Sequence, residues 1–248
     1  MNKVFSNLVT GSTLAVGLAL TTMSGAAQAA STTFGFTRIS NNNVEDVASQ
    51  LSLTVYDDVG ANAVFGPTVA LNPGQILVTF QNAVGTTSNI TEVYVDDNVP
   101  VINPPIDQVF NSLGGFTDFS AAPPLNPTNL PEGNNIGFFA DTTLSADTAP
   151  GNPNKGINEA VDILGISYNL VNGGTYQDVI AGINSGDLRF GLHVRSIGSG
   201  LGSDSFVTSN NGTVPEPLTI LGAGAAVGFG ASFKRKLAKS QEKADKKG

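Results

Sequence analysis

His193 is the only histidine of the chain and cysteine is absent, so it is the one side chain that ordinarily titrates near neutrality. It sits in Leu188-Arg189-Phe190-Gly191-Leu192-His193-Val194-Arg195. A period of two puts Leu188, Phe190, Leu192 and Val194 on one strand face, and His193 on the other beside Arg189 and Arg195. That placement predicts a solvated strand histidine, not a general base. A serine nucleophile lacks its Gly-x-Ser-x-Gly elbow. Gly198-Ser199-Gly200-Leu201-Gly202-Ser203 is glycine-rich, but no helix pattern follows it to receive a phosphate. No single carboxylate pair stands out for glycoside hydrolysis. Acids do gather at strand ends, in Tyr56-Asp57-Asp58, Val95-Asp96-Asp97 and Gly202-Ser203-Asp204-Ser205. Hard oxygen ligands at loop ends are Ca²⁺ chemistry, which makes Asp57, Asp58, Asp96, Asp97 and Asp204 candidate ligands. The plainer reading is turn aspartates bonded to their own backbone, and no twelve-residue EF-hand loop is present.

Charge narrows the classes further. Residues 31–217 carry four basic side chains (Arg38, Lys155, Arg189, Arg195) against eighteen acidic ones, a net charge of −14. The whole-chain value of −8 conceals this, because seven of the twelve basic residues lie beyond residue 233. So acidic a body offers no electrostatic footprint for nucleic acid and attracts cations instead. Without cysteine, neither disulfides nor thiolate metal sites contribute.

The elements that must position these residues read as strands. Phe34-Gly35-Phe36-Thr37 alternates, as do Leu51, Leu53 and Val55 against Ser52, Thr54 and Tyr56. Ile76, Val78 and Phe80 alternate with Leu77, Thr79 and Gln81. Further strands are expected over residues 90–95, 136–140, 163–170, 188–194 and 205–208. Asn72-Pro73-Gly74 reads as a turn. One helix is expected, because Tyr176, Val179, Ile180 and Ile183 recur at i, i+3, i+4 and i+7. Thr175 and Asp178 can form its capping box, and Gly186 lies just past its end. Its apolar stripe predicts a helix closing the open end of the strands. The prolines of residues 100–154 exclude long regular elements there and predict surface loops. The expected fold is all-β: a single antiparallel β-sandwich, jelly-roll-like, with one short helix.

Both ends of the chain read as export devices. Lys3 precedes an apolar run over residues 8–20, and Ala27-Gln28-Ala29 offers the small-x-small pattern for signal peptidase. Cleavage after Ala29 or Ala30 is expected. At the other end, Val214-Pro215-Glu216-Pro217 cannot continue a helix. Residues 218–233 carry no charge, and sixteen residues span about 24 Å as a helix, somewhat short of a hydrocarbon core. Lys234-Arg235-Lys236 then acts as a stop-transfer cluster, which the positive-inside rule keeps cytoplasmic. The expected division is a signal peptide over residues 1–30, a β-sandwich body over 31–206 and a linker over 207–213. A transmembrane anchor over 214–236 and a basic cytoplasmic tail over 237–248 complete it.

Val214-Pro215-Glu216-Pro217, the Gly/Ala-rich apolar segment and the Lys/Arg cluster together resemble the PEP-CTERM sorting tail. That resemblance covers about thirty-five residues, and the extra residues 237–248 depart from its usual ending. It implies export in a Gram-negative bacterium and processing by exosortase, a membrane-embedded cysteine protease-transpeptidase. The body is similar to bodies found ahead of such tails in photosynthetic bacteria. Ile90-Thr91-Glu92-Val93-Tyr94-Val95-Asp96-Asp97 and the stretches His193-Val194-Arg195 and Gly202-Ser203-Asp204-Ser205-Phe206 carry that likeness, which implies no activity. The expectation is a non-enzymatic, exosortase-sorted surface or matrix protein associated with exopolysaccharide. A carbohydrate- or Ca²⁺-binding module is the second reading and a glycan-active enzyme the third.

Overall fold

The computed structural model describes residues 29–121, 129–146 and 155–210. The leader over residues 1–28 therefore lies outside the described residues. So do Val214, Pro215, Glu216 and Pro217, the apolar segment, and Lys234, Arg235 and Lys236 with the tail after them.

Eleven strands are present among the described residues: β1 (Ser31–Phe34), β2 (Phe36–Arg38), β3 (Leu51–Asp57), β4 (Gln75–Asn82), β5 (Asn89–Asp97), β6 (Ile102–Gly114), β7 (Phe119–Ala121), β8 (Thr142–Ala146), β9 (Ile163–Leu170), β10 (Leu188–Ile197) and β11 (Gly202–Thr208). They form two sheets, ordered β1-β3-β4-β9-β6 and β2-β11-β10-β5-β8-β7. Every registered pair is antiparallel. The sheets share one apolar core, to which Leu53, Phe80 and Ile166 contribute from the first and Val93, Phe190 and Phe206 from the second. Across it, the Phe80 and Phe190 rings meet edge-on at 5.8 Å, and Tyr168 and Phe190 at 6.4 Å.

The expected alternation of residues 34–37 is split between the sheets. Phe34 ends β1 in the first sheet and Phe36 begins β2 in the second, with Gly35 as the corner between them. A glycine has no side chain to bury on either face, so the chain changes sheets there cheaply. Asn72-Pro73-Gly74 is a turn as expected, with Gly74 at φ +86° and Gln75 N–H donating to Asn72 O at 3.1 Å.

Two α-helices are present among the described residues, where one was expected in the body. α2 (Tyr176–Ser185) carries the predicted capping box of Thr175 and Asp178 and ends on left-handed Gly186. Its Val179, Ile180 and Ile183 enter the shared core, and Tyr176 Oη lies 2.5 Å from Thr32 Oγ1 on β1. α1 (Asp58–Phe65) was not foreseen, since its eight residues include Gly60 and show no full apolar stripe. It contributes Ala61 to a second cluster with Val69, Leu71 and Leu77, so β4 is buried on both faces.

Two further expectations fail. Residues 136–140 form no strand: a 3₁₀ turn over Gly133–Ile136 ends at Gly137, whose φ of +64° belongs to no strand. The proline-rich middle, expected to lack long regular elements, contains the thirteen-residue β6. β6 is the edge strand of its sheet, where Pro104 and Pro105 need donate no ladder bond, and its register with β9 shifts between Asn103 and Gln108. β11 runs on through Val207 and Thr208, the first two residues of the expected linker. No helix among the described residues is long and apolar enough to cross a membrane.

Candidate functional site

Of the acidic residues read as Ca²⁺ ligands, Asp57, Asp96, Asp97 and Asp204 accept from the protein's own donors, at three separate places. Asp57 Oδ1 caps α1 by accepting from Gly60 N at 2.6 Å, and it also accepts from Ala30 N at 3.0 Å. Asp58 sits in the first turn of α1, where its charge suits the helix dipole. Asp204 is fully buried and accepts from Ser40 Oγ (2.7 Å), Asn42 N (2.8 Å) and Asn43 Nδ2 (2.9 Å), with Arg38 Nε at 3.5 Å. Arg38 in turn donates to the carbonyls of Ser40, Asn43 and Glu45. Its guanidinium thus gathers carbonyls and a carboxylate, much as a hard cation would. Burial pushes the Asp204 carboxyl up, but bonds from Asn42, Asn43 and Ser40 and the charge of Arg38 outweigh it and hold it below 3.8.

Asp96 and Asp97 point to different partners, as neighbours on a strand must. Asp96 faces Arg189 on β10, with Nη2 to Oδ2 at 2.5 Å, and accepts from Phe139 N at 3.2 Å. Arg189 also donates to Ile136 O (3.1 Å) and Gly137 O (2.5 Å) and lies 5.3 Å from the centre of the Phe138 ring. It clamps residues 129–140 onto the sheet. Asp97 accepts from Val101 N (2.9 Å) and Ile102 N (3.1 Å), while Asp141 Oδ2 accepts from Asp97 N at 2.8 Å. Burial raises the Asp97 carboxyl above 3.8, the charges of Asp141 and Asp96 add to that, and the two backbone donors only partly offset it. Among the described residues, no three His, Asp or Glu side chains converge to hold a metal ion.

The constellation that sequence reasoning missed surrounds His193. The residue does lie opposite the buried Leu188, Phe190, Leu192 and Val194, but it is not solvated: its side chain is 12% exposed. His193 Nδ1 is 2.8 Å from Glu92 Oε2, its partner in register on β5. Tyr94 Oη donates to the same oxygen at 2.8 Å, and Arg195 Nη2 donates to Glu92 Oε1 at 3.1 Å. Burial pushes the Glu92 carboxyl up, but the bonds from His193 and Tyr94 and the charges around it prevail and hold it below 4.5. Burial and the adjacent Glu92 charge push the Tyr94 phenol far up, so it stays a donor.

A β-bulge organises this cluster. His193 pairs with Glu92, yet the next residue, Val194, pairs with Ile90, leaving Thr91 as the extra residue. Thr91 Oγ1 donates to His193 O at 3.3 Å. The period-two pattern gave no sign of this, because a bulge changes the parity of β5 without changing its composition.

Cross-strand register extends the cluster into a row on one face: Ser120 on β7, Ser145 on β8, Glu92 on β5, His193 on β10 and Ser205 on β11. At about 4.8 Å between strands, the row is about 19 Å long. Ser205 Oγ is buried and has no partner among the described residues. Of this row, Ser120 is exposed and Ser145 half-buried, while Glu92 is engaged by His193, Tyr94 and Arg195 and Ser205 is buried, so hydroxyls able to meet a polyhydroxylated ligand lie at its β7–β8 end. No family model, no curated protein and no solved structure matches this chain.

Proposed function

We propose that the chain is an exported surface or extracellular-matrix protein, anchored by its C-terminal segment, sorted by exosortase and associated through its body with exopolysaccharide. The carrying observation is the order of three parts after the body: Pro215-Glu216-Pro217, an uncharged apolar segment, and Lys234-Arg235-Lys236. The leader supports it from the other end, because β1 begins at Ser31, directly after the predicted cleavage positions. Shared burial by two antiparallel sheets supports a β-sandwich for the body. In this reading signal peptidase removes the leader, the apolar segment holds the precursor in the membrane, and Glu216 with its flanking prolines is read by exosortase.

The polar row across the second sheet favours carbohydrate over Ca²⁺ as the ligand of the body. Its Ser120 and Ser145 end is accessible, whereas the predicted Ca²⁺ ligands are dispersed and engaged by Arg38, Arg189 and backbone N–H groups.

The test follows the tail in a host that carries exosortase. Wild-type protein should lose residues 234–248, seen by intact mass, while Glu216→Ala or deletion of the exosortase should leave them attached in the membrane fraction. Mature wild-type protein that still carries residues 234–248 would refute the sorting reading.

A further inference from the structure

The first described residues make a contact that gives leader removal a structural consequence. Ala30 occupies the rung after Ser31, which pairs with Tyr56, and so lies opposite Asp57. Its backbone is bonded twice there: Ala30 N donates to Asp57 Oδ1 at 3.0 Å, and Ala30 O accepts from Asp57 N at 3.1 Å. The same Asp57 oxygen caps α1 through Gly60 N. Gly60 makes room for this approach, since a Cβ there would stand 2.6 Å from Ala30 O. Residue 30 is thus built into the fold, while Ala29 before it is exposed.

We infer that Asp57 is the receptor for the α-ammonium group released when the Ala29–Ala30 bond is cleaved, so that Ala30 is the first residue of the mature protein. The inference rests on the exported reading above. Water adds across the scissile bond: the Ala29 carbonyl carbon takes the hydroxyl and becomes a carboxylate, and the Ala30 nitrogen takes the protons and becomes an ammonium. The 3.0 Å bond to Asp57 then changes from amide–carboxylate to a charge-assisted ion pair. Cleavage one residue later would remove both bonds between Ala30 and Asp57, leave the Asp57 oxygen with its cap alone, and empty the space that Gly60 keeps open.

Titratable groups beside this pair include Asp58 and Tyr176. Asp58 begins α1 beside Asp57. Tyr176 is pushed up to about 12 by burial, against its bond with Thr32 and with help from the Asp57 charge, and stays neutral.

The full chain, expressed with its own leader in a bacterium that exports it, tests this in two steps. The mature protein should begin at Ala30 by N-terminal mass analysis. A start at Ser31 overturns the inference while leaving export intact, and an uncleaved leader overturns both. The α-amino group of the mature protein is then titrated by NMR after isotopic reductive methylation. It should titrate above the ordinary range of about 7.7–8.0, and return to that range in Asp57→Asn, which keeps one side-chain oxygen to accept from Ala30 and Gly60 but removes the charge. An ordinary value in folded wild-type protein overturns the docking, whether or not the variant folds.

Discussion

All four basic side chains of the body meet a carboxylate: Arg38 with Asp204, Lys155 with Asp118, Arg189 with Asp96 and Arg195 with Glu92. Their settings differ, and so does what each contributes. Lys155 and Asp118 are solvated enough for the pair to be worth little. Arg38 and Asp204 are nearly excluded from water, so removing one partner leaves a stranded charge and several unmet carbonyls. Arg38→Ala should therefore lower unfolding free energy by about 3–5 kcal/mol in urea titration, and a loss under about 1 kcal/mol would show the pair to be dispensable. Acid sensitivity follows from the same residue. The Asp204 carboxyl is held below 3.8, so its stabilisation is complete above the ordinary value and is lost as pH falls through the lowered one. The stability gap between wild type and Asp204→Asn should stay constant down to about pH 4 and close below it. A gap independent of pH would mean that Asp204 acts only by its shape.

The elements show which features local sequence could reveal. α2 was legible because its signals are local: a capping box, a stripe at helical spacing and a C-terminal glycine all lie within twelve residues. β9 was placed by its apolar alternation over Ile163–Leu170. β6 and the sheet switch at Gly35 were not legible, since both depend on where a segment sits in the sheet order. His193 was placed on the correct face, but its pairing with Glu92 spans 101 positions and a bulge, which no window contains. Gly191 is another long-range case, for it reads as a weak point in a strand. A Cβ there would stand 2.7 Å from Leu130 Cδ2 and 3.0 Å from Phe138 Cζ, so the glycine seats residues 129–140 on the outer face. Gly191→Ala should cost about 1–3 kcal/mol through overpacking. It should also increase amide exchange at Phe138, whose N–H bonds Gly133 O, more than at Phe190 in the core. Unchanged exchange at Phe138 would show that this segment does not depend on the glycine.

At the scale of the molecule, the surplus of acid over base remains after every ion pair is formed. Eighteen acidic residues against four basic ones leave a body of −14 with no disulfide to hold it. Its stability rests on the core shared by the two sheets, and self-repulsion works against that core. Cations can relieve the repulsion in two ways, by general screening or by binding at a site. Screening depends on ionic strength and treats all cations alike, with a reach of about 8–10 Å at physiological salt. Binding adds RT ln(1 + [L]/Kd) for one ion and ignores the rest. Asp57, Asp96, Asp97 and Asp204 already accept bonds from Ala30, Phe139, Val101 and Asn42, and Arg189 and Arg38 stand where added cations would. Melting temperature should therefore rise with ionic strength and be equal in CaCl₂, MgCl₂ and NaCl at matched ionic strength. A Ca²⁺-specific gain above about 4 °C, abolished by Asp96→Asn with Asp97→Asn, would instead establish a bound ion and reverse the assignment of these acids to internal hydrogen bonding.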